Sequence, residues 1–390
     1  MKRYDIIISG GGMIGSVSAV AASQLGFSVL LIEAQKSPKI TLESPRDLRV
    51  SAISEANISA LKKWRIFDYL IGQRIQSYSK MHVWDNRGSG EIKFKADEAW
   101  QSSLGYLMEN NNLIQAARLA LKSENHCDVM EQCRILHCEN EGSQIRIELS
   151  DGQRFKSRLL LAAEGRQSSL RKQSGIEVKE KSYQQKGLVA YVKLPQAPDN
   201  TALQAFNDGG PVGILPINND DKLFSIVWSL PEKQAQNFLE CSPKEFQQAL
   251  MWAIGKNFGE VELLSQRAAF PLSQLSAQRY FHKRLVLCGD SAHGVHPLAG
   301  QGVNLGLGDI QLLFQLLDAK KLRDDDYLTL ALRKYQRQRL SKVQETSQMM
   351  SFLHHLFKDD ALMKKPLRNI GLKLLNNSPL KKWLMQQAGS

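Results

Sequence analysis

The chain has 390 residues, of which 43% are hydrophobic and 23% charged, a globular composition that excludes a collagen, a long coiled coil and a mostly disordered chain. A formal net charge of +12 favours nucleic acid, an anionic membrane or an acidic ligand without choosing among them. The length fits two or three domains. The five cysteines include Cys127, Cys133 and Cys138 at a spacing foreign to zinc sites, so a reducing compartment and no metal are expected.

Residues 4–9 form a short apolar run of the kind a central parallel strand carries. That run is too short for a signal-peptide core, and no apolar stretch reaches the roughly 18–20 residues of a membrane span. A mature chain starting near Met1 and a cytoplasmic location are therefore expected. "GGGMIG" follows, then an Ala-rich helix over 16–26 ending near Gly26, and "SVLLIEA" reads as the next strand. Helices are expected at 54–64, 66–73 and 109–123, strands within 80–97, and a run of strands over 127–162 with a turn at Asp151-Gly152. Residues 180–270 read as mainly β with one helix near 243–257. "RLVLCGD" is a strand entering a Gly-rich loop, and beyond about residue 309 the pattern is helical to the end. The order α/β, then β, then α/β places a second domain inside the first.

The first glycine loop has mechanical content. Gly10 permits a tight turn, Gly12 lets a pyrophosphate approach the backbone, and Gly15 lets helix and strand pack closely. Met13 and Ile14 open the helix, whose N–H groups and dipole suit phosphates, and Glu33 ends the next strand, ready to accept from ribose hydroxyls. The plain alternative is a tight turn in an ordinary α/β unit. In the late loop, Gly289 and Asp290 follow a strand's C-terminal end, where ligands sit in open α/β sheets. Asp290 is placed for a ribityl or ribose hydroxyl. Pro297 fixes the backbone, and Gly300, Gly302 and Gly306, with Val303 and Asn304 between them, bring a second helix N-terminus toward the ligand.

"GGGMIG", the Gly289, Asp290, Ala292 and His293 pattern, and "PLAGQGVNLG" together resemble the aromatic-ring hydroxylase family of FAD-dependent monooxygenases, across almost the whole chain. "LRVSAIS" is similar to the segment whose arginine contacts FAD, here Arg49, and "ENNNLIQAA" to the helix that offers Gln115. Where the family carries Asp-Gly in mid-chain, associated with FAD and with the reduced nicotinamide, this chain has Glu164-Gly165, with Ser168 and Arg171 retained. Within the family, these strings and "GLKLL" look most like the ubiquinone-biosynthesis hydroxylases.

The resemblance implies an α/β fold, α+β overall. It has a Rossmann-like FAD-binding domain (1–72, 104–178, 271–345), an inserted β-sheet substrate domain (73–103, 179–270) and a helical C-terminal segment (346–390). It implies bound FAD, transient NADPH or NADH, and O2, acting through a flavin C4a-hydroperoxide on the ring of a polyprenyl phenol or quinol. A ubiquinone-biosynthesis complex is an implied partner. His293 and Pro297 are the residues expected nearest the reacting centre. A prenyl reductase, a hydroxylase of a small soluble phenol and a non-enzymatic flavoprotein are the alternatives. A halogenase Trp-x-Trp motif is absent, as is any nucleic-acid motif, so no nucleic acid is expected. A metal held by His293 and His296 lacks further ligands in sequence. Residues 350–390 carry seven Lys or Arg against Asp359 and Asp360, interleaved with Leu, Phe and Trp. Such a segment either docks on the inner face of an anionic membrane, making the enzyme peripheral, or packs on the core with a solvated basic face.

Overall fold

The computed structural model describes residues 1–86, 88, 90–207, 210–294 and 301–358. Among them an eight-stranded sheet is built on parallel strands in the order Leu285–Leu287, Arg154–Ala162, Lys2–Ser9, Val29–Glu33 and Cys127–Glu131. Ile6, Ile7, Ile8, Leu30, Leu31, Leu159, Leu160 and Leu161 are all fully buried, which explains unbroken apolar runs in place of alternation. Helix Met13–Gln24 lies on this sheet with nearly every side chain Ala, Ser, Val or Gly, so its backbone approaches closely. Helices Gln301–Leu316 and Asp325–Lys358 share the same core through Leu307, Ile310, Leu313, Leu328 and Tyr335.

A nine-stranded, mainly antiparallel sheet holds most of the chain between 178 and 277, together with Lys80–Asp85 and Glu91–Lys95. One face, carrying Leu188, Ala190, Ile214, Ile226 and Trp228, is covered by helices Glu232–Glu240 and Pro243–Ile254. A capping box between Ser242 and Glu245, Pro at the start and Gly255 in the left-handed region bound the second helix. On the opposite face Tyr191, Leu215, Ile217 and Leu223 meet Leu48, Val50 and Ala52, so the sheet turns toward the segment around Arg49. Strand Ala268–Ala277 straddles the boundary expected at 271 and pairs with Val178–Lys193 along nearly its whole length. A small sheet of Val50–Ser54, Gly105–Glu109 and Ile75–Tyr78 packs against strand Val212–Asn218 of the nine-stranded sheet.

Several elements differ from expectation. The helix expected over 66–73 is two short turns, Phe67–Tyr69 and Gly72–Arg74. Asn112 takes both backbone groups of Ile71, accepting from its N–H at 3.1 Å and donating to its carbonyl, and so ends the helix. Helix Glu232–Glu240 interrupts a stretch expected to be β, and helix Gln301–Leu316 begins earlier than the expected 309. The C-terminal reading beyond residue 358, and the expectations on Pro297, His296 and Gly300, lie outside the described residues.

Candidate functional site

Three glycine-bearing segments converge at the C-terminal ends of the parallel strands. Gly10 (φ +98°) accepts a left-handed turn, and a Cβ there would strike the carbonyl of Ala163. A Cβ on Gly15 would strike the carbonyl of Gly10, so each is fixed by close approach. Gly12 is different: it caps helix Met13–Gln24 in extended geometry, and a Cβ there meets nothing within 4 Å. Open space therefore fronts the helix N-terminus where a pyrophosphate would lie.

Ile14 joins this turn to the late motif. A Cβ on Gly289 would lie 3.0 Å from Ile14 Cγ1, and one on Gly306 would lie 2.9 Å from that atom and 3.3 Å from Gly289 Cα. Residues almost 300 positions apart thus share one wall of a cleft, as one dinucleotide spanning both would require. Met13 and Val303 are half-buried at the same edge, packed on the core, and Gly302 has open space at its Cβ.

The mid-chain motif clasps the late one. Arg171, buried, donates to the Ser291 carbonyl at 3.0 Å and to the Arg166 carbonyl at 2.7 Å, while Ser291 Oγ donates to the Gly165 carbonyl at 3.3 Å. Glu164 accepts from Ser9 Oγ (2.9 Å), Ser168 Oγ (2.6 Å), Ser169 Oγ (3.0 Å) and Leu170 N (3.0 Å). Its longer side chain is spent on the N-terminus of helix Ser169–Gln173 and on the first strand.

Asp290 stands open to the cleft yet surrounded by protein. That crowding raises its carboxyl pKa, opposed by the nearby Arg166 and Arg49 guanidinium groups. Arg49, exposed, is thereby placed near Asp290; its strand Val50–Ser54 is pinned by Asn304, which accepts from Ser54 N at 2.9 Å and donates to the Ala52 carbonyl at 2.8 Å. Gln115 accepts from Ile40 N at 2.6 Å and donates to the Ile40 carbonyl at 3.0 Å, holding the segment that leads to Arg49. Glu33 accepts from Gly11 N and from Gln35 N (2.8 Å).

His293 has a role other than the expected one. It is 0% exposed, in a short strand paired with the end of Ala268–Ala277. Its Nε2 donates to Asp309 Oδ2 at 2.7 Å, and its ring stacks on Tyr280 with centroids 5.9 Å apart. Asp309 also accepts from Gly289 N (2.8 Å) and Arg339 Nε (2.5 Å). Burial alone would raise the Asp309 pKa, but His293, Arg339 and these hydrogen bonds hold it below the usual carboxylate value, so it is ionised. This buried triad fixes the Gly289–Asp290 turn. Burial makes His293 a positioning residue and removes it from contact with substrate. Asp309 and Arg339 escaped the sequence reading; an acid inside the apolar, glycine-rich run "VNLGLGDIQLLF" was the available signal. Among the described residues no His/Cys/Asp/Glu cluster suits a metal ion.

With this geometry in place, a family model described as "FAD binding domain" matches residues 3–349. The chain belongs to that family of FAD-dependent monooxygenases. It is 31% identical to the mitochondrial ubiquinone biosynthesis monooxygenase COQ6 of Drosophila melanogaster, over 97% of this chain and 88% of the relative. It is 29% identical to 3-demethoxyubiquinol 3-hydroxylase of Escherichia coli (strain K12), over 94% and 93%. The fold matches p-nitrophenol 4-monooxygenase PnpA of Pseudomonas putida DLL-E4, with a TM-score of 0.81, 14% identity, and coverage of 100% of this chain and 99% of that one. The residues present fit FAD: an open helix N-terminus at Gly12, an acid at the end of the second strand, and a second Gly-Asp turn joined to the first through Ile14.

Proposed function

We propose that this protein hydroxylates the aromatic ring of a polyprenylated phenol or quinol in ubiquinone biosynthesis, using FAD, NADPH or NADH, and O2. The observation that carries the reading is the joining of the Gly10–Gly15 turn to Gly289 and Gly306 through Ile14, which brings both glycine motifs to one place, as a single bound dinucleotide requires. Bound flavin supplies the redox and oxygen chemistry; the chain supplies position, charge and exclusion of water. The glycine turn and helix N-terminus take the pyrophosphate, Glu33 the adenosine ribose, and Asp290 with Arg49 the flavin half. The relatives named for ubiquinone steps support the substrate class.

The sheet face turned toward Arg49 supports it as well. Val189, Tyr191, Gly213, Leu215, Ser225 and Val227 occupy this face by register, and none of them carries a charge. Gly213, Leu215 and Val227 are half-buried, in contrast to the fully covered residues of the opposite face. Such a wall suits an apolar ring and tail. Among the described residues no helix is long and apolar enough to cross a membrane. A lipid-dissolved substrate then calls for peripheral docking, for which the basic, Leu-rich segment after residue 350 is the proposed anchor.

The test is purified protein with FAD, NADPH or NADH and a polyprenyl phenol or quinol, followed by mass spectrometry. A hydroxylated ring is expected. Reduction of a prenyl double bond, or oxidation of the nicotinamide with no hydroxylated product from any such substrate, would overturn the reading.

A further inference from the structure

Behind the first glycine turn lies a cation whose hydrogen-bonding groups are unused. Arg118, on helix Asn110–Leu121, is 9% exposed, and none of Nε, Nη1 and Nη2 has a hydrogen-bond partner among the described residues. All three nitrogens are closed off from solvent. A guanidinium in that condition is costly, since burial removes water and nothing replaces it. Stability alone gives no reason for it, because a Leu or Met of similar reach would fill the same space without the penalty.

Its surroundings supply the reason. A Cβ on Gly11 would strike Arg118 Nη2 and lie 3.1 Å from its Cζ, so the guanidinium packs directly against the backbone of the turn. The same Cβ would lie 2.9 Å from Glu33 Cβ. Glu33 and Glu131 are register partners at the ends of adjacent parallel strands, so two carboxylates border the place where a pyrophosphate would sit. Both act on Arg118 electrostatically, Glu131 the more strongly. Uncompensated, that pair would repel a diphosphate over several ångströms, the more so in a partly desolvated cleft.

We propose that Arg118 is a positioning residue for the diphosphate–adenosine half of FAD, a buried positive charge behind the Gly10–Gly12 turn that offsets Glu33 and Glu131. It acts through the backbone of the turn and donates no hydrogen bond to the ligand. Glu33 can then serve the ribose without its charge opposing the neighbouring phosphates. The proposal rests on FAD as the resident dinucleotide. Wild-type protein that took up no FAD would fail that reading, whereas wild-type uptake with an indifferent Arg118 variant would fail the proposal alone.

The experiment compares apoprotein of wild type, Arg118→Met and Arg118→Lys. FAD affinity is read from flavin fluorescence quenching, ADP affinity from competition, and stability from thermal melting without ligand. Arg118→Met should weaken FAD and ADP alike by at least about tenfold, with a melting temperature equal to or above wild type, because an unsatisfied charge has gone. Arg118→Lys should stay within about threefold of wild type. Adding Glu131→Gln to Arg118→Met should recover part of the lost affinity. Unchanged affinity in Arg118→Met overturns the proposal. So does a loss in Arg118→Lys as large as that in Arg118→Met, or a melting temperature that falls together with affinity, which marks a merely structural side chain. If Arg118→Met yields no folded protein, Arg118→Gln takes its place beside Arg118→Lys, and equal FAD affinity in those two overturns the proposal.

Discussion

Gly12→Val separates folding from cofactor binding. Gly12 sits at φ −66° and ψ −168°, extended backbone that valine adopts freely, and its Cβ would meet no atom within 4 Å. The folding cost is that of a poorer N-cap, about 1 kcal/mol, which for a chain of this length moves the melting temperature by roughly 1 °C. Binding pays much more. An isopropyl group would fill the space before the helix N-terminus and deny a pyrophosphate its backbone N–H donors. Two charge-assisted hydrogen bonds lost at about 1.5–3 kcal/mol each correspond to FAD binding weaker by roughly 10²–10⁴-fold. Gly15→Val is the control. Its Cβ would collide with the Gly10 carbonyl, so it should fail to fold whether or not FAD is present. The assay is thermal melting of apoprotein beside a fluorescence titration with FAD. A Gly12→Val protein that binds FAD like wild type, or one that loses its melt as Gly15→Val does, would refute the reasoning.

Asp309→Asn leaves Arg339 buried without its counter-charge and frees Gly289 N; a loss of about 3–5 kcal/mol in chemical denaturation is expected, and less than about 1 kcal/mol would contradict the triad. Because the folded-state pKa of Asp309 lies below the ordinary aspartate value of about 3.9, its stabilisation is complete above that value and is lost as pH falls through the lower folded one. Wild type should therefore lose stability at acid pH more steeply than Asp309→Asn, as followed by pH-dependent melting. The carboxyl of Asp290 shifts upward, so its ionised form destabilises the apoprotein, and Asp290→Asn should be no less stable at pH 7. It should still bind FAD roughly tenfold or more weakly; a stability loss with unchanged affinity would reverse the assignment. Gly306→Ala would push a methyl onto Ile14 and Gly289, costing about 1–3 kcal/mol in denaturation and loosening FAD; a neutral outcome would deny the close approach.

The local half of the site was legible because its rules are local. A buried strand, glycines at fixed offsets, a small-residue helix and an acid after the next strand all fall within 33 residues. The late Gly-Asp turn could be read in the same way. Long-range pairings could not. Asp309 meets His293 and Arg339 across 16 and 30 residues, and no pattern announces that an arginine near the C-terminus will neutralise it. Arg118 reads as an ordinary helix residue until the fold sets it against Gly11. Gly302, Gly306 and Gly308 each disfavour helix, yet helix Gln301–Leu316 runs through all three. Two of the three are explained by contact, Gly306 against Ile14 and Gly308 against the Arg339 guanidinium. Helix Glu232–Glu240 is nine residues long and its apolar face is only Ala235, Phe238 and Leu239, too short a run to stand out from the β stretch around it.

If this chain holds FAD and directs oxygen onto the ring of a lipid-like phenol or quinol, the new ring oxygen must come from O2. The most direct measurement supplies FAD-loaded protein with NADPH or NADH, a polyprenyl phenol or quinol and isotopically labelled dioxygen, and weighs the product. One labelled oxygen atom in a ring hydroxyl is expected, with no such product from Gly12→Val. A product whose new oxygen comes from water, or nicotinamide oxidation that leaves every ring substrate unchanged, would contradict it.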